Sequence, residues 1–194
     1  LYPTIRRLIA EGEIGELRAV EAVFSSPLQS PQSPKLSPEF LGGSIHDVGC
    51  YNLLSIRQVT GREPVSVKAY GSFLPSGVDG TVAALLDLGG GIVGYSFSSK
   101  DGANHRGLKV IGSRGIITFP KTPNTWGQLE ITLARPEGNR IIPLTASNTY
   151  AAQLEQMGRC ILEGEAPLVS LEESGNNIRA MELLHAAIGS WMSR

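Results

Sequence analysis

The sequence predicts an α+β fold, with a large, mainly antiparallel open β-sheet and helices packed on one of its faces. Strand patterns are concentrated in the middle of the chain and helical patterns lie at both ends, as in an α+β layer. Short turns separate successive strands, which must therefore be antiparallel, because a parallel crossover needs a dozen or more residues. Strands and helices nowhere alternate as they would in a nucleotide-binding sheet.

Four elements are predicted before the strand-rich region. Pro3 suits the first turn of a helix that Gly12 ends, and residues 17–24 have a strand pattern. Residues 25–41 contain four prolines and predict a long irregular loop. Loops of this length within a domain are often functional, or else disordered. A second helix is predicted over residues 44–59.

The middle of the chain shows the period-two alternation of half-buried strands. Glycine-containing turns at 89–91 and 112–115 predict two hairpins. The predicted strands are residues 65–73, 82–88, 92–97, 108–111, 116–119, 129–133 and 141–144.

Two helices are predicted at the end of the chain. One apolar face is expected on the first, formed by Tyr150, Leu154, Met157 and Ile161. Ser170 and Glu173 form a capping-box pattern at the start of the second. The apolar stripe predicted for this second helix comprises Ile178, Met181, Leu184, Ile188 and Trp191.

The composition excludes several classes of protein. A chain of 194 residues usually forms one domain, and its net charge of −1 gives no electrostatic basis for binding nucleic acid or an anionic membrane. No apolar run is long enough to span a bilayer, and the start has no signal-peptide pattern. The two cysteines, Cys50 and Cys160, cannot form a disulfide framework. We therefore expect a reducing compartment, the cytoplasm.

A homo-oligomer is also expected. Residues 82–86 are apolar on both alternating faces of their strand, so one apolar face of the sheet remains after the helices are placed. A large exposed apolar patch normally marks an interface.

The segment 42–51 is the strongest candidate for a functional site. Asp47 and Tyr51 are four residues apart on the predicted helix and share one face. A carboxylate can orient a substrate hydroxyl while a neighbouring phenol exchanges a proton with it. His46 is expected in the same pocket, and Gly43 is expected to let the backbone approach a substrate or a nicotinamide ring closely.

Structural interpretations of these residues stay open, and on the pattern alone they are favoured. Ser44 and Asp47 match a helix-capping arrangement, and Tyr51 fits a core aromatic with its hydroxyl at the surface. A surface or packing role suits His46 equally, as loop flexibility suits Gly43. No metal site is expected, because the histidines and cysteines lack ligand spacing.

A resemblance that extends over nearly the whole chain favours the functional interpretation of these residues over the structural one. Residues 38–53, which contain Gly-Gly-Ser-Ile-His-Asp-Val-Gly-Cys-Tyr, together with 57–64, 110–117 and 150–156, resemble the Gfo/Idh/MocA oxidoreductase family. The resemblance implies that residues 1–194 are a C-terminal domain for substrate binding and oligomerisation. An N-terminal Rossmann domain that binds NAD or NADP would then be absent from this chain.

The resemblance also implies roles for individual residues. Asp47 and Tyr51 match the family's acid/base pair, whereas the lysine of the family's Glu-Lys-Pro motif has no counterpart in the sequence. The first helix resembles the segment that follows this motif. The implied substrate is a small sugar, polyol or related diol, and the isolated chain is expected to be inactive. The alternative is a non-catalytic assembly or sugar-sensing domain.

Overall fold

The computed structural model of the protein describes residues 1–28, 30, 32–121 and 125–192, with only the backbone described for 190–192. The α-helices are α1 (Tyr2–Ala10), α2 (Cys50–Thr60), α3 (Thr149–Glu163) and α4 (Leu171–Met192); a π-helical turn, Ile45–Gly49, leads directly into α2. Two 3₁₀ helices, Pro34–Leu36 and Pro38–Phe40, lie in the proline-rich loop. The strands are β1 (Leu17–Ser25), β2 (Ser66–Phe73), β3 (Asp79–Asp87), β4 (Val93–Ser99), β5 (His105–Gly112), β6 (Ile116–Phe119), β7 (Gly127–Arg135) and β8 (Gly138–Ala146).

The eight strands of the described residues form one sheet in the order β2-β3-β4-β1-β5-β6-β7-β8. Every neighbouring pair is antiparallel except β1 and β4, which are parallel from Ala19 opposite Val93 to Ser25 opposite Ser99. The fold class predicted from the sequence is therefore confirmed. Because β1 and β4 are parallel, their carboxyl ends lie side by side at the same end of the strands.

The core lies between the sheet and the helices. On β3, Val82, Ala84 and Leu86 are buried on the helix side, whereas Leu85 points to the opposite face and is 54% exposed. Ile45 and Val48 in the π-helical turn and Ile56 in α2 are buried against the sheet. Hence α2 packs firmly across β1 and β4.

A buried arginine fixes α4 against α2. The Arg57 side chain is only 2% exposed, and its guanidinium donates to both carboxylate oxygens of Glu63 (2.6 and 2.7 Å) and of Glu173 (3.0 and 3.1 Å). The predicted capping box supplies part of this arrangement, since the amide of Glu173 donates to the Ser170 hydroxyl at 3.0 Å. The carboxylate of Glu173 turns away from the cap to bind Arg57.

The apolar faces predicted for the last two helices need correction. The stripe on α3 is exposed over its whole length. Only Met157 of the stripe lines the cavity of about 790 Å³ between this helix and β7 and β8. On α4, Ile178 is 55% exposed, because the helix turns Ala180 and the three residues Met181, Leu184 and Ile188 towards the sheet. The side chain of Trp191 lies outside the described residues.

The face of the sheet opposite the helices carries large exposed apolar side chains. They occur on five strands: Tyr70 (68% exposed), Leu85 (54%), Val93 (43%), Ile116 (36%) and Ile141 (61%). This distribution agrees with the apolar outer face that the sequence predicts.

Candidate functional site

The helix that carries the predicted site residues begins at a buried carboxylate. Asp79, at the start of β3, accepts hydrogen bonds from the Ser44 hydroxyl (2.7 Å) and the Ile45 amide (2.8 Å). A carboxylate at this position satisfies a free amide and complements the helix dipole. Ser44 is the N-cap residue and Asp47 is an acid in the first turn, as the capping interpretation predicts. The capping interpretation is wrong only about the hydrogen bond, because neither side chain caps the helix.

Gly43 makes room for this cap. Its φ is +111°, and a Cβ built on it would lie 2.1 Å from Oδ1 of Asp79. Its amide donates to the carbonyl oxygen of Lys35 at 2.9 Å, which ties the proline-rich loop to the start of the helix. Gly43 is buried, and its neighbour Gly42 lines the adjoining pocket. A direct role for Gly43 in substrate binding stays a prediction.

Small side chains on β4 bring the helix close to the sheet. The helix-facing row of this strand comprises Gly94, Ser96 and Ser98, and Lys100 follows in the same alternation. Ser98 lies 3.0 Å from the Ser44 hydroxyl, and a Cβ on Gly49 would lie 3.2 Å from Ser98 Oγ. The close approach places Lys100 beneath the π-helical turn.

Asp47 is held between two lysines. Its Oδ2 accepts from Nζ of Lys100 at 2.5 Å, and its Oδ1 lies 2.6 Å from Nζ of Lys35. Partial burial by itself raises the pKa of Asp47, but the hydrogen bonds and charges of Lys100 and Lys35 outweigh it and hold the pKa below its usual value. Asp47 is therefore an ionised hydrogen-bond acceptor at neutral pH.

Tyr51 lies in the first turn of α2 and is 38% exposed, so it is only partly buried. Its ring lies 5.9 Å from that of Phe24 at the end of β1. Burial is the main cause that raises the pKa of Tyr51; Cys50, Tyr150 and the charge of Asp47 also raise it, and Lys35 opposes them. The phenol consequently remains protonated at neutral pH and can donate a proton.

His46 contacts a second histidine, His185. Its Nδ1 lies 3.3 Å from Nε2 of His185 on α4, and the two rings are 4.8 Å apart. Burial chiefly lowers the pKa of His185, and a charge on His46 lowers it further, while Asp79 opposes the decrease. The pair therefore favours a neutral His185 behind His46.

This pair predicts a pH dependence of stability. Folded His185 binds a proton less readily than the unfolded residue, whose pKa is 6.5. The free energy of unfolding should therefore fall as the pH decreases through that value, because protons favour the unfolded chain. The thermal midpoint of a His185→Gln variant, measured from pH 7.5 to 5.0, should fall less than that of the parent. An equal fall would contradict the prediction, and exposed His105→Gln serves as the control.

An open pocket of about 360 Å³ adjoins these residues. Its walls come from the two 3₁₀ helices and the start of the π turn: Pro34, Lys35, Phe40, Leu41, Gly42, His46 and Asp47. Asp47 and His46 thus lie in one pocket as the sequence suggests, whereas Tyr51 is outside its lining. The predicted loop is ordered here, with Gln29 and Pro31 outside the described residues.

Sequence reasoning missed four residues of this site: Lys35, Asp79, Lys100 and His185. Asp79 is 35 residues from Ser44 and Lys100 is 53 residues from Asp47. No local sequence pattern therefore indicates that they belong to the site. For Lys100 the sequence did contain a signal. Lys100 continues the helix-facing row of small residues on β4, an unusual place for a lysine, because lysine is almost never fully buried unless it is paired.

Two kinds of site are absent from the part of the chain that the structure describes. Within residues 1–28, 30, 32–121 and 125–192, no three His, Cys, Asp or Glu side chains are grouped as they would be around a metal ion. None of the helices in the same residues is both long enough and apolar enough to cross a membrane.

Known structures share this fold. Aldose–aldose oxidoreductase from Caulobacter crescentus, complexed with glycerol, is 24% identical with a TM-score of 0.82, over 97% of this chain and 58% of that one. The 3-ketoreductase KijD10 from Actinomadura kijaniata, in complex with NADP and TDP-benzene, is 22% identical with a TM-score of 0.84, over 95% of this chain and 57% of that one. At such identities the likeness concerns the fold.

Curated relatives are similar in sequence. Trans-1,2-dihydrobenzene-1,2-diol dehydrogenase of Xenopus laevis is 27% identical over 90% of this chain and 55% of its own length. The dTDP-3,4-didehydro-2,6-dideoxy-α-D-glucose 3-reductase of Streptomyces violaceoruber is 29% identical over 77% and 46%. The chain thus spans about half the length of these relatives. The model of the GFO/IDH/MocA C-terminal domain matches residues 2–118, and the chain therefore belongs to the Gfo/Idh/MocA family of oxidoreductases.

Proposed function

We propose that the whole protein is an NAD(P)-dependent oxidoreductase acting on a CH–OH group of a sugar, polyol or related diol. In this proposal, residues 1–194 form its substrate-binding domain. The observation that carries the proposal is the carboxylate of Asp47, which is held by two lysines on the wall of an open pocket and is followed four residues later by the exposed phenol of Tyr51. The relatives support the reaction class, since they are named as diol dehydrogenases and sugar reductases.

The two residues have complementary roles. The carboxylate of Asp47 accepts a hydrogen bond from a substrate hydroxyl and so orients the carbon that reacts. The phenol of Tyr51 donates its proton to the substrate oxygen when a carbonyl is reduced, and takes the proton back in the reverse direction. Acting as a base requires a nearby cation to lower the phenol's pKa. The charge of Lys35 acts in this direction, but burial and the other neighbours keep the pKa of Tyr51 raised, so a further cation is required from outside this chain.

The nicotinamide cofactor supplies or accepts the hydride in this reaction. The described residues contain no strand–glycine loop–helix unit that would bind its pyrophosphate, and the triple glycine at 89–91 connects two strands. The Asp47 pocket is built entirely from residues 34–47 and is open on its other side. We therefore assign cofactor binding to a domain outside this chain, and substrate contacts, including those of His46, to this one.

A substrate panel with the full-length protein tests the proposal. Sugars, polyols and vicinal diols are assayed with NAD and NADP, and the carbonyl products with the reduced cofactors, by absorbance at the nicotinamide band. Turnover of at least one class supports the proposal. Binding of a sugar without turnover on any substrate would instead favour the non-catalytic sensing domain.

The isolated chain is predicted to bind neither NAD nor NADP measurably. We expect this because the described residues offer no cradle for a pyrophosphate. A fluorescence titration with the reduced cofactor measures it. Saturable binding in the low micromolar range would contradict the division of roles proposed above.

The outer face of the sheet is proposed as a homo-oligomer interface. Leu85→Lys places a charge in the exposed apolar patch. The dissociation constant of the oligomer should rise at least about tenfold, because charged residues are depleted at the cores of interfaces. Light scattering at micromolar concentration gives the mass. Ile178→Lys, on the exposed side of α4, is the matched control. A parent chain that is monomeric at this concentration would contradict the proposal.

A further inference from the structure

Lys100 is a buried cation that the proposed mechanism does not use. Its side chain is 4% exposed, and its Nζ lies 2.5 Å from Oδ2 of Asp47. We propose that Lys100 is a positioning residue that keeps Asp47 ionised and aims its second oxygen at the substrate. This inference rests on the proposed function and names a further residue on which that same site depends.

The backbone of Lys100 is fixed on both sides. Its amide donates to the carbonyl oxygen of Gly80 at 2.8 Å, and its own carbonyl oxygen accepts from the amide of Leu28 at 3.0 Å. The residue therefore lies just beyond the carboxyl ends of the parallel strands β1 and β4. Its backbone is hydrogen-bonded to β3 and to the start of the proline-rich loop. A buried ammonium requires a charged partner, and the partner that the structure provides is Asp47.

The two lysines on Asp47 are not equivalent. Lys35 is 52% exposed and lines the pocket, whereas Lys100 lies beneath the π-helical turn. Lys100 therefore holds Oδ2 permanently, and Oδ1 is the oxygen that exchanges its exposed lysine for a substrate hydroxyl. This division fixes the orientation of the carboxylate that receives the substrate.

Several other groups act on the same site. Cys50 and Tyr51 on α2 both respond to the charge of Asp47. Next to Asp47 in the π turn, His46 pairs with His185 of α4. Asp79 on β3 binds the start of the turn, and Asp101, which follows Lys100, is bound by Thr81 and Ser99. A direct measurement on Asp47 is therefore needed to separate the effect of Lys100 from theirs.

The first experiment measures Asp47 in this chain without substrate. The sequence contains four aspartates, so ¹³C-carboxyl labelling gives few signals, and Asp47→Asn identifies the relevant one. Lys100→Met should raise the pKa of Asp47 by about 1 to 3, because a nearby opposite charge is lost. Lys35→Met should raise it less, because an exposed charge is screened by water. An unchanged pKa in Lys100→Met would overturn the proposal.

The second experiment measures kcat/KM against pH in the full-length protein. Lys100→Met should move the acid limb of kcat/KM to higher pH by the amount that the carboxyl titration measures. The loss should reach at least about tenfold on the acid side of the shifted limb and disappear towards neutral pH, where Asp47 is ionised again. Exposed Lys121→Met should leave the profile unchanged. A loss of equal size at every pH would indicate a merely structural role and would overturn the proposal.

A second variant and a double variant complete the test. Lys100→Arg retains the charge but changes its geometry, so it should keep the acid limb of the parent while kcat falls. In an Asp47→Asn background, Lys100→Met should reduce kcat little further, because Lys100 acts through Asp47; full additivity would overturn the proposal. If the full-length protein has no turnover, the proposed function fails, whereas the carboxyl titration still decides whether Lys100 controls Asp47.

Discussion

Replacing Tyr51 by phenylalanine in the full-length protein should lower kcat by a factor of about 10² to 10⁴, the usual contribution of one general acid/base group. The ring and its contact with Phe24 are retained, so loss of the fold is not the expected cause. Affinity for the cofactor should hardly change, because in the proposed function the phenol contacts the substrate. Steady-state kinetics and a cofactor titration measure the two effects.

A second tyrosine in the chain provides a matched control. Tyr2 on α1 shares a hydrogen bond of 2.9 Å with the Ser55 hydroxyl, away from the pocket. Tyr2→Phe should leave kcat unchanged and cost no more than about 1 kcal/mol of unfolding free energy, the net contribution of one hydrogen bond. Equal kinetic effects of the two variants would argue against a specific role for Tyr51.

Asp47→Asn examines the partner of Tyr51. The variant should also impair turnover, and its effect should be non-additive with Tyr51→Phe if the two residues act as a unit. A near-normal kcat in Tyr51→Phe would mean that the phenol only packs. A raised KM with kcat retained would mean that it positions the substrate while a lysine from outside this chain carries the proton.

Gly43→Ala should be among the most destabilising single substitutions in the chain, at roughly 3–5 kcal/mol. Three effects combine: a left-handed backbone that disfavours Cβ, a collision with Oδ1 of Asp79, and loss of the hydrogen bonds that Asp79 receives at the start of the helix. Turnover should fall as well, because Asp47 lies four residues further along the same turn. Chemical unfolding and kinetics measure both effects.

Gly61→Ala separates the backbone strain from the collision. Gly61 also has a positive φ, +64°, but a Cβ there would meet nothing within 4 Å. This variant should cost only about 1 to 2 kcal/mol, the price of the left-handed conformation. Similar losses in both variants would show that the contact with Asp79 contributes little.

The sequence by itself determined the features that depend on neighbours a few residues apart. The apolar residues on both faces of residues 82–86 predicted an exposed apolar face of the sheet, on which Leu85 lies. The four-residue step from Asp47 to Tyr51 placed both at the start of one helical segment. The capping box at Ser170 was equally local. These patterns can be recognised in the sequence because the periodicity of strands and helices, and the capping of helices, depend on residues only a few positions apart.

The tertiary structure alone decided which distant groups meet. The parallel pairing of β1 with β4 brings Lys100 to the end of the strands where Asp47 lies. Asp79, and not the side chain of Ser44, accepts the hydrogen bond of the Ile45 amide at the start of the helix. The apolar stripe of α3 is likewise exposed, although its spacing is that of a buried face. Sheet order, register and helix placement arise from the packing of the whole core, and no local spacing records them. The sequence could therefore point to Asp47 and Tyr51, and only the fold could supply the buried lysine that controls the carboxylate.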